Sequence, residues 1–340
     1  MTKNVTNPAR VLTIAVSSRS LFHIEDGNEI FEKEGQAAFD EYMRSKENVP
    51  LRPGAAFPLV RKLLALNKVR SPFPRDRVEV VLLSRNSPDA GMRVMNSIAH
   101  YELDIERAVF TQGGDRFAFA KDLGAHLFLS ANPADVEAAL KHGIAAATML
   151  PVERSDDADD GPVVWVFDGD SVVFDDEADE CYRANGLVAF RQHEVERAHI
   201  PLGAGPFKLV LEVLCELQRE LRQEYDEDKL PLITALVTAR GMPSHARVIN
   251  TLRSWGISLN KAIFCGGLPK GPLLKTLRAH IFFDDTVKNG ESAASHDISF
   301  GHVPYGQGGI VAVDAKSAAS EVAPAEPAVV PAEASNLAAA

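Results

Sequence analysis

Shifted against itself by 154 residues, the sequence aligns Val78–Ser130 with Leu232–Asp284 without a gap. Twelve of the 53 paired positions are identical, including Arg93-Val94 with Arg247-Val248, Asn96 with Asn250, and Ala125-His126-x-Phe128 with Ala279-His280-x-Phe282. A slightly different shift pairs Pro50-Leu51-x-x-Gly54 with Pro201-Leu202-x-x-Gly205, and the apolar run ending at Val16 with the one ending at Phe167. Keeping one register over so long a span points to two copies of one fold rather than to chance similarity between two α/β segments.

Short apolar runs alternate with longer amphipathic ones. Val163–Phe167, Leu232–Val237, Ala262–Phe264 and Ile281–Phe283 read as buried strands, and their near-continuous apolarity predicts a parallel sheet covered on both faces. Between them, Phe207 to about Glu224 carries apolar residues at helical spacing, and Pro243–Trp255 reads as a helix stopped by Gly256. The pattern is an open α/β sheet. The expected units are a first copy over residues 1–150, a second over 151–313, and a tail over 314–340. The tail is almost entirely Ala, Pro, Val, Ser and Glu and reads as disordered.

With 340 residues the chain can bury a full core without staples. Cys181, Cys215 and Cys265 are odd in number and form no CxxC pair, which argues against a disulfide framework or zinc knuckle and fits a reducing cytosol. The first apolar run, Val11–Val16, is too short for a signal peptide or membrane span, so a cytoplasmic protein without membrane association is expected. A net charge of −11 argues against a polynucleotide partner, which would need clustered Lys and Arg, but leaves room for a small anion at a local site. Oligomeric state is open at this level, homo-oligomers included.

Asp168 and Asp170 stand just past the run Val163–Phe167, where open α/β sheets bind their ligands. Residues two apart in an extended chain point the same way, so both carboxylates can face one substrate and invite a cation, with Gly169 letting the backbone approach closely. An isolated Asp-Gly-Asp is more simply a solvated turn. Later pieces change that reading because each follows another strand: Thr238 after Leu236-Val237, Lys270 in Gly267-Leu268-Pro269-Lys270-Gly271, and Asp284-Asp285 after Phe282-Phe283. Singly, Thr238 reads as a helix cap and Lys270 as a surface cation. Two adjacent acids ending a buried strand are costly unless a metal or solvent compensates them, and an all-oxygen set suits magnesium. Gly203-x-Gly205 lacks a preceding strand, Gly267–Lys270 lacks P-loop spacing, and no HExxH occurs.

Asp168-Gly-Asp-Ser-Val172, Thr238, Lys270 and Asp284-Asp285 resemble, in order and strand context, the four motifs of haloacid dehalogenase superfamily phosphatases. The chain is more closely similar to the cytosolic 5'-nucleotidase type I family. That likeness is carried by Phe167–Glu177, Leu236–Arg240, Thr251–Gly256, Pro269–Leu273, His280–Asp285 and, near the N-terminus, Leu12–Phe22. The resemblance implies two tandem haloacid dehalogenase-like, Rossmann-like halves, the C-terminal one catalytic. It further implies a 5'-nucleotidase that cleaves nucleoside 5'-monophosphates, AMP foremost, through an aspartyl-phosphate. In that reading Asp168 is the nucleophile and Asp170 the general acid/base, while Thr238, the backbone N–H of Ala239 and Lys270 hold the phosphoryl group. Mg2+ would be bound by Asp168, the main-chain carbonyl of Asp170, Asp284 and Asp285. The alternatives are a phosphatase or phosphotransferase for another small metabolite, and a nucleotide-sensing protein without turnover.

Through the repeat, Asp168 maps to Ser17, Asp170 to Arg19, and Asp284-Asp285 to Ser130-Ala131, so the first copy lacks the nucleophile and the metal ligands. Ser84 stands opposite Thr238 and Arg116 opposite Lys270. The plainer expectation is a structural partner that covers the active site or supports assembly; the sharper one is a regulatory nucleotide site built from Ser17, Ser18, Arg19, Ser84 and Arg116. Phe174, Phe190 and His193 fall near the expected mouth of the catalytic site, where each can either stack on a purine or pack in the core or a flap.

Overall fold

The computed structural model describes residues 10–69, 75–150 and 161–306. The tail from residue 314 and the boundary expected near residue 150 fall on or beside residues outside these ranges. The strands, in chain order, are β1 (Leu12–Val16), β2 (Phe22–His23), β3 (Arg52–Pro53), β4 (Val78–Ser84), β5 (Arg107–Phe110), β6 (Leu127–Ser130) and β7 (Ala145–Leu150). They continue as β8 (Val163–Phe167), β9 (Leu232–Thr238), β10 (Lys261–Phe264), β11 (Ile281–Asp284) and β12 (Ser299–His302). Ten of them form one sheet in the order β10-β9-β8-β11-β12-β7-β6-β1-β4-β5. Every neighbouring pair in it is parallel except β7 with β12, whose pairing is antiparallel. On either side of that junction the order is third, second, first, fourth, fifth strand, the doubly wound arrangement.

The two strand sets correspond closely. Moving β4, β5 and β6 forward by 154 residues lands on the bounds of β9, β10 and β11. The residues that repeat in the sequence repeat their hydrogen bonds as well. Arg93 Nε donates to the Val49 carbonyl at 3.0 Å, and Arg247 Nε to the Ile200 carbonyl at 3.0 Å. Asn96 reaches the Glu47 carbonyl at 3.0 Å and Asn250 the Ala198 carbonyl at 2.9 Å. The backbone N–H of Thr13 donates to His126 Nδ1 at 3.1 Å, and that of Val164 to His280 Nδ1 at 3.1 Å. Each of these groups satisfies backbone polarity where a strand or loop would otherwise bury it unpaired.

Near-continuous apolarity in the strands reflects cover on both faces. Trp165 and Phe167 of β8 join one core with Phe283, Leu211 and Leu214, whereas Val164 and Val166 point the other way and pack with Phe282, Leu274 and Phe300. The first core continues across the junction to Leu12, Ile14 and Val16 of β1, while Ala15 faces a third cluster with Phe117 and Phe128. One apolar layer therefore runs under both strand sets. The helix Lys208–Leu221, which precedes β9, belongs to this layer and lies against β1. Among the described residues, no helix is long and apolar enough to cross a membrane.

A buried ion pair fastens that helix to the first strand set. Arg77 is 1% exposed and Glu220 3%. Arg77 Nε donates to Glu220 Oε1 at 2.9 Å and Arg77 Nη1 to the Val69 carbonyl at 2.7 Å, while Arg75 Nη2 reaches Glu220 Oε2 at 2.6 Å. Removing one partner strands a buried charge, whereas replacing both with apolar groups removes the desolvation penalty too. Glu220→Ala is therefore expected to cost about 3–5 kcal/mol in urea unfolding, and the paired Arg77→Met/Glu220→Leu variant much less. Equal losses in the two variants would show that the pair's charge balance is irrelevant.

Candidate functional site

The expected pieces meet at the C-terminal ends of β8, β9 and β11. Asp168 directly follows β8, its backbone N–H donating to the Phe283 carbonyl on β11 at 2.8 Å. Asp284 ends β11 and is fully buried, and Thr238 ends β9. Lys270 caps the helix Gly271–Leu277, which brings its ammonium between two carboxylates: 2.8 Å from Asp168 Oδ1 and 2.6 Å from Asp284 Oδ2. Asp284 also accepts from the Thr286 backbone N–H at 2.8 Å and from Asn289 Nδ2 at 2.9 Å. Gly169 packs closely here: a Cβ on it would lie 3.1 Å from Thr238 Oγ1, tighter than ordinary van der Waals contact. Ala239 follows Thr238 in the turn leading to Arg240, whose backbone N–H donates to Thr238 Oγ1 at 3.2 Å.

Asp168, Asp284 and Asp285 each bring a carboxylate oxygen within 4.8 Å of the others. Burial, opposed by Lys270 and reinforced by Asp284, pushes Asp168 well above the usual carboxylate range. Burial and the neighbouring Asp284 and Asp179 raise Asp285 to about 7. Lys270 moves up instead: burial works against its charge, but Asp168 and Asp284 more than offset that. One ammonium thus faces three crowded carboxylates. Hard oxygen donors, converging geometry and surplus negative charge together fit a divalent cation.

The fourth acid is held differently. Asp170 receives a forked contact from Arg240, with Nη2 to Oδ1 at 2.6 Å and Nε to Oδ2 at 2.8 Å. Arg240 is buried and also bonds Glu194, a fully buried residue of the helical segment Glu177–Glu196. Arg247 bonds Glu194 at 2.8 Å and Glu177 at 3.0 Å from the other side. The helical segment is otherwise largely exposed, breaks at Gly186 with φ +75°, and is anchored to the site through these two arginines. Arg240, Glu194, Arg247 and Asn289 received no site role from the sequence alone. The available signals were Arg247, identical to Arg93 in the internal repeat, and Arg240, which ends the matched segment Leu236–Arg240.

Of the aromatic candidates, Phe174 is fully buried against Trp255, with ring centroids 5.6 Å apart, so it belongs to the core. Phe190 lies beneath the Arg240 guanidinium at 5.6 Å and forms an edge-to-face pair with half-exposed Tyr182 at 6.1 Å. His193 sits within 3.5 Å of both Glu177 and Glu194.

The residues expected in the first strand set are gathered at the ends of β1, β4 and β6. Ser17 caps the short helix Ser18–Leu21, Ser18 Oγ lies 3.1 Å from Ser84 Oγ, and Arg116 lies 2.6 Å from Asp135. Ser17, Ser18, Arg19 and Arg116 line one cavity, and Ser84 backs Ser18 from below.

A family profile described as 5'-nucleotidase matches residues 4–309. Human cytosolic 5'-nucleotidase 1B is 38% identical over 290 residues, which cover 84% of this chain and 48% of that protein. The chain thus spans about half the length of that relative. No solved structure gives a significant match. With Asp168, Thr238, Lys270 and Asp284 converging at the strand ends and the profile running through all of them, the chain belongs to the 5'-nucleotidase family.

Proposed function

We propose that this protein is a cytosolic, Mg2+-dependent 5'-nucleotidase that hydrolyses nucleoside 5'-monophosphates, AMP foremost, through an aspartyl-phosphate on Asp168. The observation that carries the reading is the bridge of the Lys270 ammonium between Asp168 and Asp284 at the sheet edge. The two strand sets are read as products of one duplication, with residues 1–150 non-catalytic and 151–313 catalytic; the recurring hydrogen bonds of Arg93/Arg247, Asn96/Asn250 and His126/His280 support this.

In this mechanism the Asp168 carboxylate attacks phosphorus in line and the nucleoside oxygen departs. Asp170 donates a proton to that oxygen, then takes one from the water that cleaves the acyl-phosphate. Thr238 Oγ1 and the Ala239 backbone N–H hold phosphoryl oxygens, with Lys270 beside the nucleophile stabilising the charge that develops on them. Mg2+, held by Asp168, Asp284, the Asp170 main-chain carbonyl and Asp285, would supply the positive charge that lets a carboxylate meet an anionic substrate. Arg240 acts through Asp170 and is a positioning residue: its fork fixes the acid's orientation. Half-exposed Tyr182, set edge to face against Phe190 beside Arg240, offers an aromatic face for the base.

Phosphate release from a panel of nucleoside monophosphates and sugar phosphates should require Mg2+, stop in EDTA, favour nucleotides and vanish in Asp168→Asn. Release that survives EDTA and the substitution would displace the site altogether. Transfer of phosphate to an added nucleoside in preference to water would instead make the protein a phosphotransferase.

Two further variants separate the roles. Lys270→Met should lower kcat by about 10²–10³-fold, the loss expected for one preorganised charge-stabilising donor. Arg240→Met should lower kcat by about 10–100-fold with a smaller change in KM, and Arg240→Lys should restore only part, because a lysine cannot make the fork. A KM effect alone would assign Arg240 to substrate binding.

The elevated Asp285 sets a pH dependence. A carboxylate raised to about 7 in the folded protein binds its proton more tightly than in the unfolded chain. Its contribution therefore favours folding at low pH and is lost as pH rises towards 7 and the site fills with charge. In EDTA, Tm should fall across this range, and added Mg2+ should raise Tm more above pH 7 than below pH 6. A Mg2+ increment independent of pH would show that Asp285 does not face the cation.

A further inference from the structure

At the C-terminal ends of β1, β4 and β6 lies a cavity of about 150 Å3. Among the described residues, its ionisable lining is Arg19, Arg85, Arg116 and Asp135. Arg116 is 2% exposed; its Nη2 pairs with Asp135 at 2.6 Å, while its Nε has no hydrogen-bond partner among the described residues. Asn86 Nδ2, from another lining residue, is buried without a partner as well. Leaving buried donors without an acceptor is costly, a penalty that an oxyanion in the cavity would relieve.

Comparison with the Asp168 site shows how the charge was rearranged. Arg116 takes the place of Lys270, Ser130 that of Asp284, and Asp135 that of Asn289. The acid thus moves from the strand end to the following helix, where Arg85 at 3.1 Å, Arg116 and Ser130 Oγ at 3.2 Å occupy it. A single carboxylate so engaged is a poor cation site, and among the described residues three arginines line the cavity around it. Phe31 and Phe39 also line the cavity and pack edge to face at 6.2 Å and 84° on either side of Gly35, which has φ +85°. Tyr182 and Phe190 stand 151 residues later with the same arrangement, 6.1 Å and 85°, on either side of Gly186. One cavity therefore presents both arginines and aromatic rings.

We propose that this cavity is a second, non-hydrolytic site for a phosphate monoester bearing an aromatic ring, bound without a metal ion. The phosphoryl oxygens meet Arg116, Arg19 and Asn86, and the ring lies against Phe31 and Phe39. The assignment stands apart from the hydrolytic reading of Asp168.

Equilibrium dialysis of radiolabelled AMP against the full-length protein in EDTA tests it. The expected result is one AMP per chain, displaced by inorganic phosphate and less well by adenosine. Arg19→Ala and Arg116→Met should each weaken binding about tenfold or more, and Lys270→Met should leave it unchanged. Arg19 is at the rim, so its variant decides the matter if the buried Arg116 variant fails to fold. Absence of binding in EDTA, or binding lost in Lys270→Met but kept in Arg19→Ala, overturns the proposal. Phosphate release with Mg2+, measured in parallel, separates the two readings: lost turnover with retained EDTA binding would sink only the hydrolytic one.

Discussion

Buried charge at the C-terminal ends of β8 and β11 sets the terms for everything around it. Asp168, Asp284 and Lys270 have almost no contact with solvent, and each such ion loses several kcal/mol of hydration on burial. Lys270 answers part of this by touching both carboxylates, and the Thr286 backbone and Asn289 answer more of it at Asp284. The remaining imbalance is visible in the upward displacement of Asp168 and Asp285. A fold optimised only for stability would replace such a cluster with apolar side chains. Its persistence in a sheet otherwise packed with Trp165, Phe167 and Phe283 marks the place where chemistry outweighs packing.

The same constraint accounts for the network one layer out. Asp170 lies close enough to the cluster for its charge to contribute to the raising of Asp168, and Arg240 supplies the opposite sign. Arg240 is itself buried and needs a second acid, which Glu194 provides; Glu194 in turn is shared with Arg247. Alternating signs therefore run from the strand end to the helical segment Glu177–Glu196. A segment with few apolar contacts to the sheet is held over the site by ion pairs, so its position is coupled to the charge state beneath it.

Much of this was legible in the sequence because its causes are local. Strands covered on both faces must be apolar at successive positions, so β8, β9, β10 and β11 stood out to within a residue or so. Asp168, Thr238, Lys270 and Asp284 could be paired in advance because each follows such a strand, and strand ends in this topology converge. Arg240 could not be found this way. Its neighbours in sequence give it the look of a surface residue, and its partners Asp170, Phe190 and Glu194 stand 70, 50 and 46 positions earlier. Phe174 shows the converse: proximity in sequence to Asp168 and Asp170 suggested the mouth, but the turn after Asp168 carries it inward onto Trp255. The junction of β7 with β12 was also hidden, since neither strand's composition names its partner.

That junction decides what the first strand set can do. Antiparallel pairing of β7 with β12 makes the two parallel sets run in opposite directions, so their C-terminal ends emerge at opposite edges of the sheet. Asp168, Thr238 and Asp284 open on one edge, and Ser17, Ser84 and Ser130 on the other. The strand ends of the first set therefore cannot roof the Asp168 site. What joins the edges is the apolar layer beneath both sets, with the helix Lys208–Leu221 lying on β1 and fixed by Arg77 and Glu220. Any influence of one edge on the other must pass through that layer as a shift of packed elements, because charge at either edge is separated from the other by the full length of the strands.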